Sequence, residues 1–181
     1  MELKQITDKK QWKRIKALYK AAFPKYERKP FRLIRSMHKK GTADVWYIED
    51  NGRFTGLAAT MNHGDLVLLD YFAIAEDCRG QGAGSRALQM LQQHYSGRRF
   101  FLEIESVYTE AENLPERIRR KQFYLKNGMT EMRIYAKVGV TEMEVLGYNC
   151  TITFPEYQSV YLNNLGMWAK KYLVPLDYPE K

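Results

Sequence analysis

Cysteine is scarce in this 181-residue chain: only Cys78 and Cys150 occur. They form no CxxC pair and stand in no His/Cys cluster, which excludes a disulfide framework and a zinc site and points to a reducing compartment. His38, His63 and His94 are scattered, so spacing offers no metal site. No apolar run approaches the roughly 20 residues that span a bilayer, and "MELKQITDKK" lacks a signal-peptide core. Repeats, low-complexity segments and linkers are missing as well. These absences predict one cytoplasmic domain with no membrane partner.

Acidic residues are rare in one place. Residues 1–40 hold fourteen Lys/Arg against three Asp/Glu, or +11, whereas the other 141 residues hold fifteen against eighteen, or −3. The total of +8 is therefore an N-terminal property. Two readings stand: lysine-rich helix faces turned to water, or a positive rim that attracts an anionic ligand. Nucleic-acid binding is set aside, because the aromatic-rich RNA motif is missing and an acidic remainder repels a long polyanion.

What is present has a readable order. "ELKQIT" predicts a first strand, and Asp8 is a good N-cap for a helix in which Trp12, Ile15, Leu18 and Ala22 recur at helical spacing. Pro30 opens a second helix that ends at Gly41. "ADVWYIED" and "RFTGLAATM" flank Asn51-Gly52, a strong hairpin signal because both turn positions favour positive φ. After "NHGD", the apolar run "LVLLDYFAI" predicts a strand buried on both faces. A Gly-rich turn, a helix closed by Gly97, the strand "RRFFLEIES" and a helix opened by Pro115 and ended by Gly128 follow. "MTEMRIYAKV" and "TEMEVLGYN" predict two strands joined at Gly139, and the tail adds at least one short helix and many aromatics.

The turn "RGQGAG" carries the chemistry. Glycines let the main chain approach a ligand without Cβ obstruction, and the first N–H groups of a helix lack internal partners. Those donors, the positive end of the helix dipole and Arg79 make an anion site that suits a pyrophosphate. Neither GxxxxGK[ST] nor GxGxxG with its βαβ context is present, so P-loop and dinucleotide folds are excluded.

In this setting "FAIAEDCRGQGAGSRAL" resembles the acetyl-CoA motif of the GNAT family of N-acetyltransferases, Arg/Gln-x-x-Gly-x-Gly/Ala after an apolar strand, with Arg79, Gly82 and Gly84 at the signature positions. "YLKNGM" resembles the family's late Tyr-x-x-x-Gly-Phe motif, keeping Tyr124 and Gly128 and replacing Phe by Met129. The element order matches over roughly residues 1–148. The resemblance implies an α/β (α+β) acyl-CoA N-acyltransferase fold: a mixed, mostly antiparallel sheet of about seven strands flanked by helices, as one domain with a C-terminal aromatic-rich extension over 149–181.

It also implies direct transfer of acetyl from acetyl-CoA to a primary amine. Main-chain groups of Arg79, Gly80, Gln81, Gly82, Ala83, Gly84 and Ser85 would hold the pyrophosphate. Phe72, Ala73 and Ile74 would pair with the pantetheine arm where their strand splays from the next, and would present an N–H to the acetyl carbonyl. Family members often carry Asn one or two turns before the tyrosine; here Arg117 and Arg120 stand in that stretch, and an arginine can meet cofactor phosphate. Tyr124 is the matched acid for the leaving sulfur, or packs under the turn or positions the sulfur without proton transfer.

For the base, Glu103 and Glu105 lie two apart on one strand and so share a face. That face borders an acceptor cleft, or the carboxylates meet solvent or an arginine of the next helix. Glu27 lies in the loop that shapes the family's acceptor site. Asp70, in the middle of a buried strand, needs a partner if it is inside. Cys78 has no base near it in sequence, which argues against an acyl-enzyme. Tyr157, Tyr161, Trp168 and Tyr172 bury core or a homodimer surface, or cap the acceptor cleft. The acceptor is a small-molecule amine or a protein amine; the alternative is a non-catalytic acyl-CoA sensor of the same fold.

Overall fold

A computed structural model of the chain describes residues 1–177; the last positions of the expected extension, 178–181, lie outside the described residues. In chain order the elements are β1 (Glu2–Gln5), α1 (Lys9–Ala22), α2 (Phe31–Lys40), β2 (Ala43–Asp50), β3 (Arg53–His63), β4 (Leu66–Ile74), α3 (Ala83–His94), β5 (Arg99–Glu105), α4 (Leu114–Lys126), β6 (Met129–Val138), β7 (Thr141–Tyr148), α5 (Phe154–Leu165), α6 (Ala169–Tyr172) and β8 (Leu173–Leu176). The strands follow the sheet order β1-β2-β3-β4-β5-β7-β6-β8. Contacts divide the chain into two compact units, Met1–Met61 with Leu69–His94, and Asn62–Leu68 with Tyr95 onward. The division falls inside β4.

In the first unit, short-range chemistry sets the ends of the helices. Asp8 Oδ1 accepts the Gln11 N–H at 2.8 Å and the Gln11 side chain reaches back to the Asp8 N–H, closing a capping box. Gly41, at φ 75°, ends α2 in the left-handed conformation. Asn51 and Gly52 take φ 49° and 77°, the turn that the hairpin signal predicted, and join antiparallel β2 and β3. Ile15 and Tyr19 of α1, with Ile34 and Met37 of α2, are the helix residues that bury themselves. Their helical spacing is what makes one apolar stripe per helix.

The second unit holds β5 antiparallel to β7, β7 to β6, and β6 to β8. Three features differ from the sequence expectation. The register of β6 slips between Glu131 and Tyr135, where Arg133 takes φ 53°, a bulge that no glycine announced. The tail adds two helices and an eighth strand. That strand pairs Val138 with Leu173, and its Pro175 hides the strand signal, since proline suits only an edge position. Finally, Tyr157 and Tyr161 are completely buried while Trp168 is about half exposed, so the tail aromatics separate into core and surface.

Candidate active site

In the first unit, β4 runs into a single 3-10 turn, Glu76–Cys78, before α3 begins at Ala83. The Cys78 N–H donates to the Ala75 carbonyl at 2.9 Å and the Arg79 N–H to Glu76 at 3.2 Å; the ladder resumes only where the Arg86 N–H reaches the Gly82 carbonyl at 3.1 Å. Between them, the N–H groups of Gly80 through Ser85 have no acceptor among the described residues. Gly80 and Gly82 stand at φ 80° and 72°, a backbone that favours glycine. A Cβ built on Gly80 meets nothing within 4 Å, and one on Gly82 meets only Arg86 Nη1, at 3.8 Å. The corner is therefore open, and its donors are available to an anion.

Side chains set the charge around this corner. Arg79 folds back, its Nε donating to the Ile74 carbonyl at 3.1 Å, and so ties the turn to the end of β4. Arg86 donates to the Gln81 carbonyl at 3.0 Å and pairs with Asp50 at 3.0 Å. Arg86 was missed in the sequence; its only signal was a cation one turn inside the helix that follows the glycines. Arg53 pairs with Asp77 beside the turn. Further back, a Cβ on Gly56 of β3 would stand 2.5 Å from the Ala73 carbonyl oxygen, so a glycine is what lets these backbones pass so closely. Phe72 is half-buried; Ala73 and Ile74 are buried.

The residues expected at the acceptor end of this unit form a network. Lys29 Nζ pairs with Asp70 Oδ1 at 2.7 Å, both side chains at least nine-tenths buried, and the ammonium also lies 5.3 Å from the Tyr71 ring centre. Tyr71 donates to the Glu27 carbonyl at 3.0 Å and accepts from the Lys29 N–H at 3.0 Å; Tyr19 donates to the Lys29 carbonyl. Burial, with Tyr71 second, pushes the Tyr19 phenol well above its ordinary value. The partner that a buried Asp70 requires is Lys29, and the loop carrying Glu27 is pinned to β4 through its main chain.

In the second unit, Tyr124 projects from the last turns of α4. It is buried, and its hydroxyl has no hydrogen-bond partner among the described residues. Burial pushes its phenol up to about 12, with the Arg120 charge pulling slightly the other way. Arg120 Nη1 donates to Glu105 Oε2 at 3.0 Å. Arg117 Nη2 lies 2.9 Å from Glu105 Oε1, close enough for charge but misaligned as a hydrogen bond, and that buried oxygen accepts none among the described residues.

Glu103 is engaged differently: it accepts from the Tyr161 hydroxyl at 2.6 Å and from the Tyr157 hydroxyl. The two carboxylates do follow the strand alternation, yet one is held by helix α4 and the other by α5. Arg117 also spends Nε on Asn113 and Nη1 on the Ser106 carbonyl, so it turns inward; Arg120 keeps a side chain 46% exposed. A further buried pair, Lys121 Nζ to Glu144 Oε2 at 2.5 Å with Glu131 at 3.0 Å, went unnoticed in the sequence, where a lysine on a helix reads as surface.

The acetyltransferase (GNAT) family model matches residues 12–129, and the chain belongs to that family. It is an N-acetyltransferase whose acetyl donor is acetyl-CoA. Its fold is similar to that of a Bacteroides thetaiotaomicron protein described as an acetyltransferase from the GNAT family, at TM-score 0.77 and 20% identity over 92% of this chain and 99% of that one. It is also similar to the ribosomal-protein-S18-alanine N-acetyltransferase of Escherichia coli, at TM-score 0.61 and 15% identity over 84% and 95%. A third is an aminoglycoside 6'-N-acetyltransferase complexed with coenzyme A, at 0.63 and 10% over 81% and 96%. No curated protein matches the chain. Among the described residues no helix is long and apolar enough to cross a membrane, and no three His, Cys, Asp or Glu side chains group as metal ligands.

Proposed function

We propose that the protein moves acetyl directly to the primary amine of a small molecule or protein within a ternary complex. The observation that carries the reading is the open corner at Gly80–Ser85, whose unspent N–H groups and nearby Arg79 and Arg86 suit the diphosphate of acetyl-CoA. Acetyl-CoA, when bound, supplies an activated thioester carbon and a sulfur leaving group.

The chain's own residues supply binding and proton handling. Phe72 to Ile74 offer main-chain groups along β4, and Arg120, with donors still facing solvent, meets phosphate. Tyr124 Oη keeps its proton throughout the neutral range, which suits it to donate to the sulfur. Glu105 is the base of the pair in this reading, because its Oε1 accepts no hydrogen bond among the described residues whereas each Glu103 oxygen already accepts a tyrosine hydroxyl. Glu27 and Asp70 shape the acceptor side, Asp70 through Lys29.

A panel of primary amines, followed by free-thiol release from acetyl-CoA, tests the reading. Thiol release with at least one acceptor, together with thermal stabilisation by acetyl-CoA, is the expected result. No stabilisation at millimolar acetyl-CoA overturns it.

A further inference from the structure

The net charge of the chain belongs to one unit. Seventeen Lys/Arg against nine Asp/Glu give the first unit +8, and twelve against twelve give the second unit zero. Among the nine acids of the first unit, Asp50 pairs with the N-terminus and Arg86, Asp70 with Lys29, and Asp77 with Arg53, all cations away from the surface of α1. Of the fourteen cations in residues 1–40, only Lys4 and Lys29 pair with a carboxylate among the described residues. The first unit as a whole stays strongly positive, and the acids of the second unit are balanced by its own cations.

The unpaired cations are ordered. Lys9, Lys13, Lys16 and Lys20 recur about once per turn along one exposed side of α1, a row spanning about 16 Å at 1.5 Å per residue. Exposed Arg32, Arg35 and Lys39 make a second row on α2. The rows belong to one face, since Lys16 Nζ lies 5.8 Å from the Phe31 ring centre and the Arg35 guanidinium 5.2 Å from the Trp12 ring. On another flank of α1, Arg14, Ala17 and Leu18 with Gly52, Arg53 and Phe54 line a groove of about 510 Å³. Arg14 donates to the Tyr47 hydroxyl at 2.9 Å, and the Tyr47 ring packs 4.6 Å from Phe54, so a cation and an aromatic ring are held together there.

From this we infer that the α1–α2 face binds a single-stranded nucleic acid. Stacked nucleotides advance about 3.4 Å each, so the α1 row faces roughly five phosphates, more than a compact ligand with two or three can engage. The groove suits an unpaired base, which stacks on an aromatic ring while Arg14, whose only side-chain partner among the described residues is the neutral Tyr47 hydroxyl, holds a flanking phosphate. A membrane surface is the poorer match: of the exposed large hydrophobic side chains, only Tyr26 lies in residues 1–40, leaving little to insert. The inference does not depend on the acetyl-transfer reading.

Fluorescence anisotropy of a fluorescein-labelled single-stranded RNA 20-mer, titrated with the full chain over a range of salt, tests it. Binding is expected, with log affinity falling linearly against log salt. Lys13→Glu/Lys16→Glu/Lys20→Glu should weaken it about 100-fold and lower the salt slope by about 2, while Lys→Arg at the same sites restores it. Phe54→Ala should weaken the single strand about 10-fold and leave a duplex of the same length unchanged. Circular dichroism and a cooperative thermal transition report that each variant is folded. The inference is overturned by no anisotropy change at low salt, by an unchanged affinity in the triple Glu variant, or by tighter binding to polyglutamate or phosphatidylserine vesicles than to RNA.

Discussion

Arg120 Nη1 stands 3.0 Å from Glu105 Oε2, and the same guanidinium is the one charge that pulls against the burial of Tyr124, a turn further along α4. One cation thus serves two groups proposed for proton handling. Tyr124→Phe keeps the ring and its packing but removes the donor, so kcat is expected to fall about 100-fold or more while KM for acetyl-CoA changes by less than about threefold. With the phenol at about 12, the rate is expected to show no loss from Tyr124 ionisation below about pH 11. Steady-state kinetics across pH measures both; a fall in affinity alone assigns Tyr124 to packing.

The same shift predicts an alkaline instability. The folded phenol titrates at about 12 and an unfolded one at about 10, so the native state holds its proton more tightly. Its contribution is complete below about pH 10 and is lost as pH rises from there towards 12, amounting to roughly 2.7 kcal/mol for two pH units. Urea unfolding at pH 9 and pH 11.5 is expected to show a decline that is smaller by roughly 2 kcal/mol in Tyr124→Phe, the part of that loss reached by pH 11.5.

Gly82→Val tests the anion corner. The position combines φ 72° with open space, so the branched side chain strains the turn and fills the approach to its N–H groups. Acetyl-CoA affinity is expected to drop about 10-fold or more by calorimetry. Gly52→Val, at φ 77° in the hairpin turn, carries similar backbone strain and should leave that affinity within a factor of about two.

Lys29 and Asp70 are buried together, and breaking such a pair leaves one uncompensated charge. Asp70→Leu or Lys29→Met alone is expected to cost about 3–5 kcal/mol in urea unfolding, and the double change to recover most of it. Equal losses in single and double variants would show that the pair's charge is not what the singles disturb.

Much of the frame was legible because its signals are local. Asp8 and Gln11 close their box three residues apart, Asn51-Gly52 turns on its own backbone preference, and Gly80 and Gly82 need no distant partner to hold positive φ. The anion corner was legible for the same reason. The β6 bulge at Arg133 and the eighth strand at Leu173–Leu176 were not, since a register slip and an edge pairing depend on the neighbouring strand. Arg86 was overlooked because its partners, Asp50 and the Gln81 carbonyl, become neighbours only in the folded chain.

Sequence alone determined the order of elements as far as β7, the breaks between them and the corner of unpaired amides, because each rests on backbone preferences spanning a few residues. Tertiary structure decided which charges are spent: Glu105 on two arginines, Glu103 on two tyrosines, Asp70 on Lys29, while the lysines of α1 have no carboxylate partner among the described residues. Alternation along a strand says which side chains share a face. Only packing brings the opposite charge or a donating hydroxyl from 12 to 58 residues away within the 2.6–3.0 Å at which desolvation is offset.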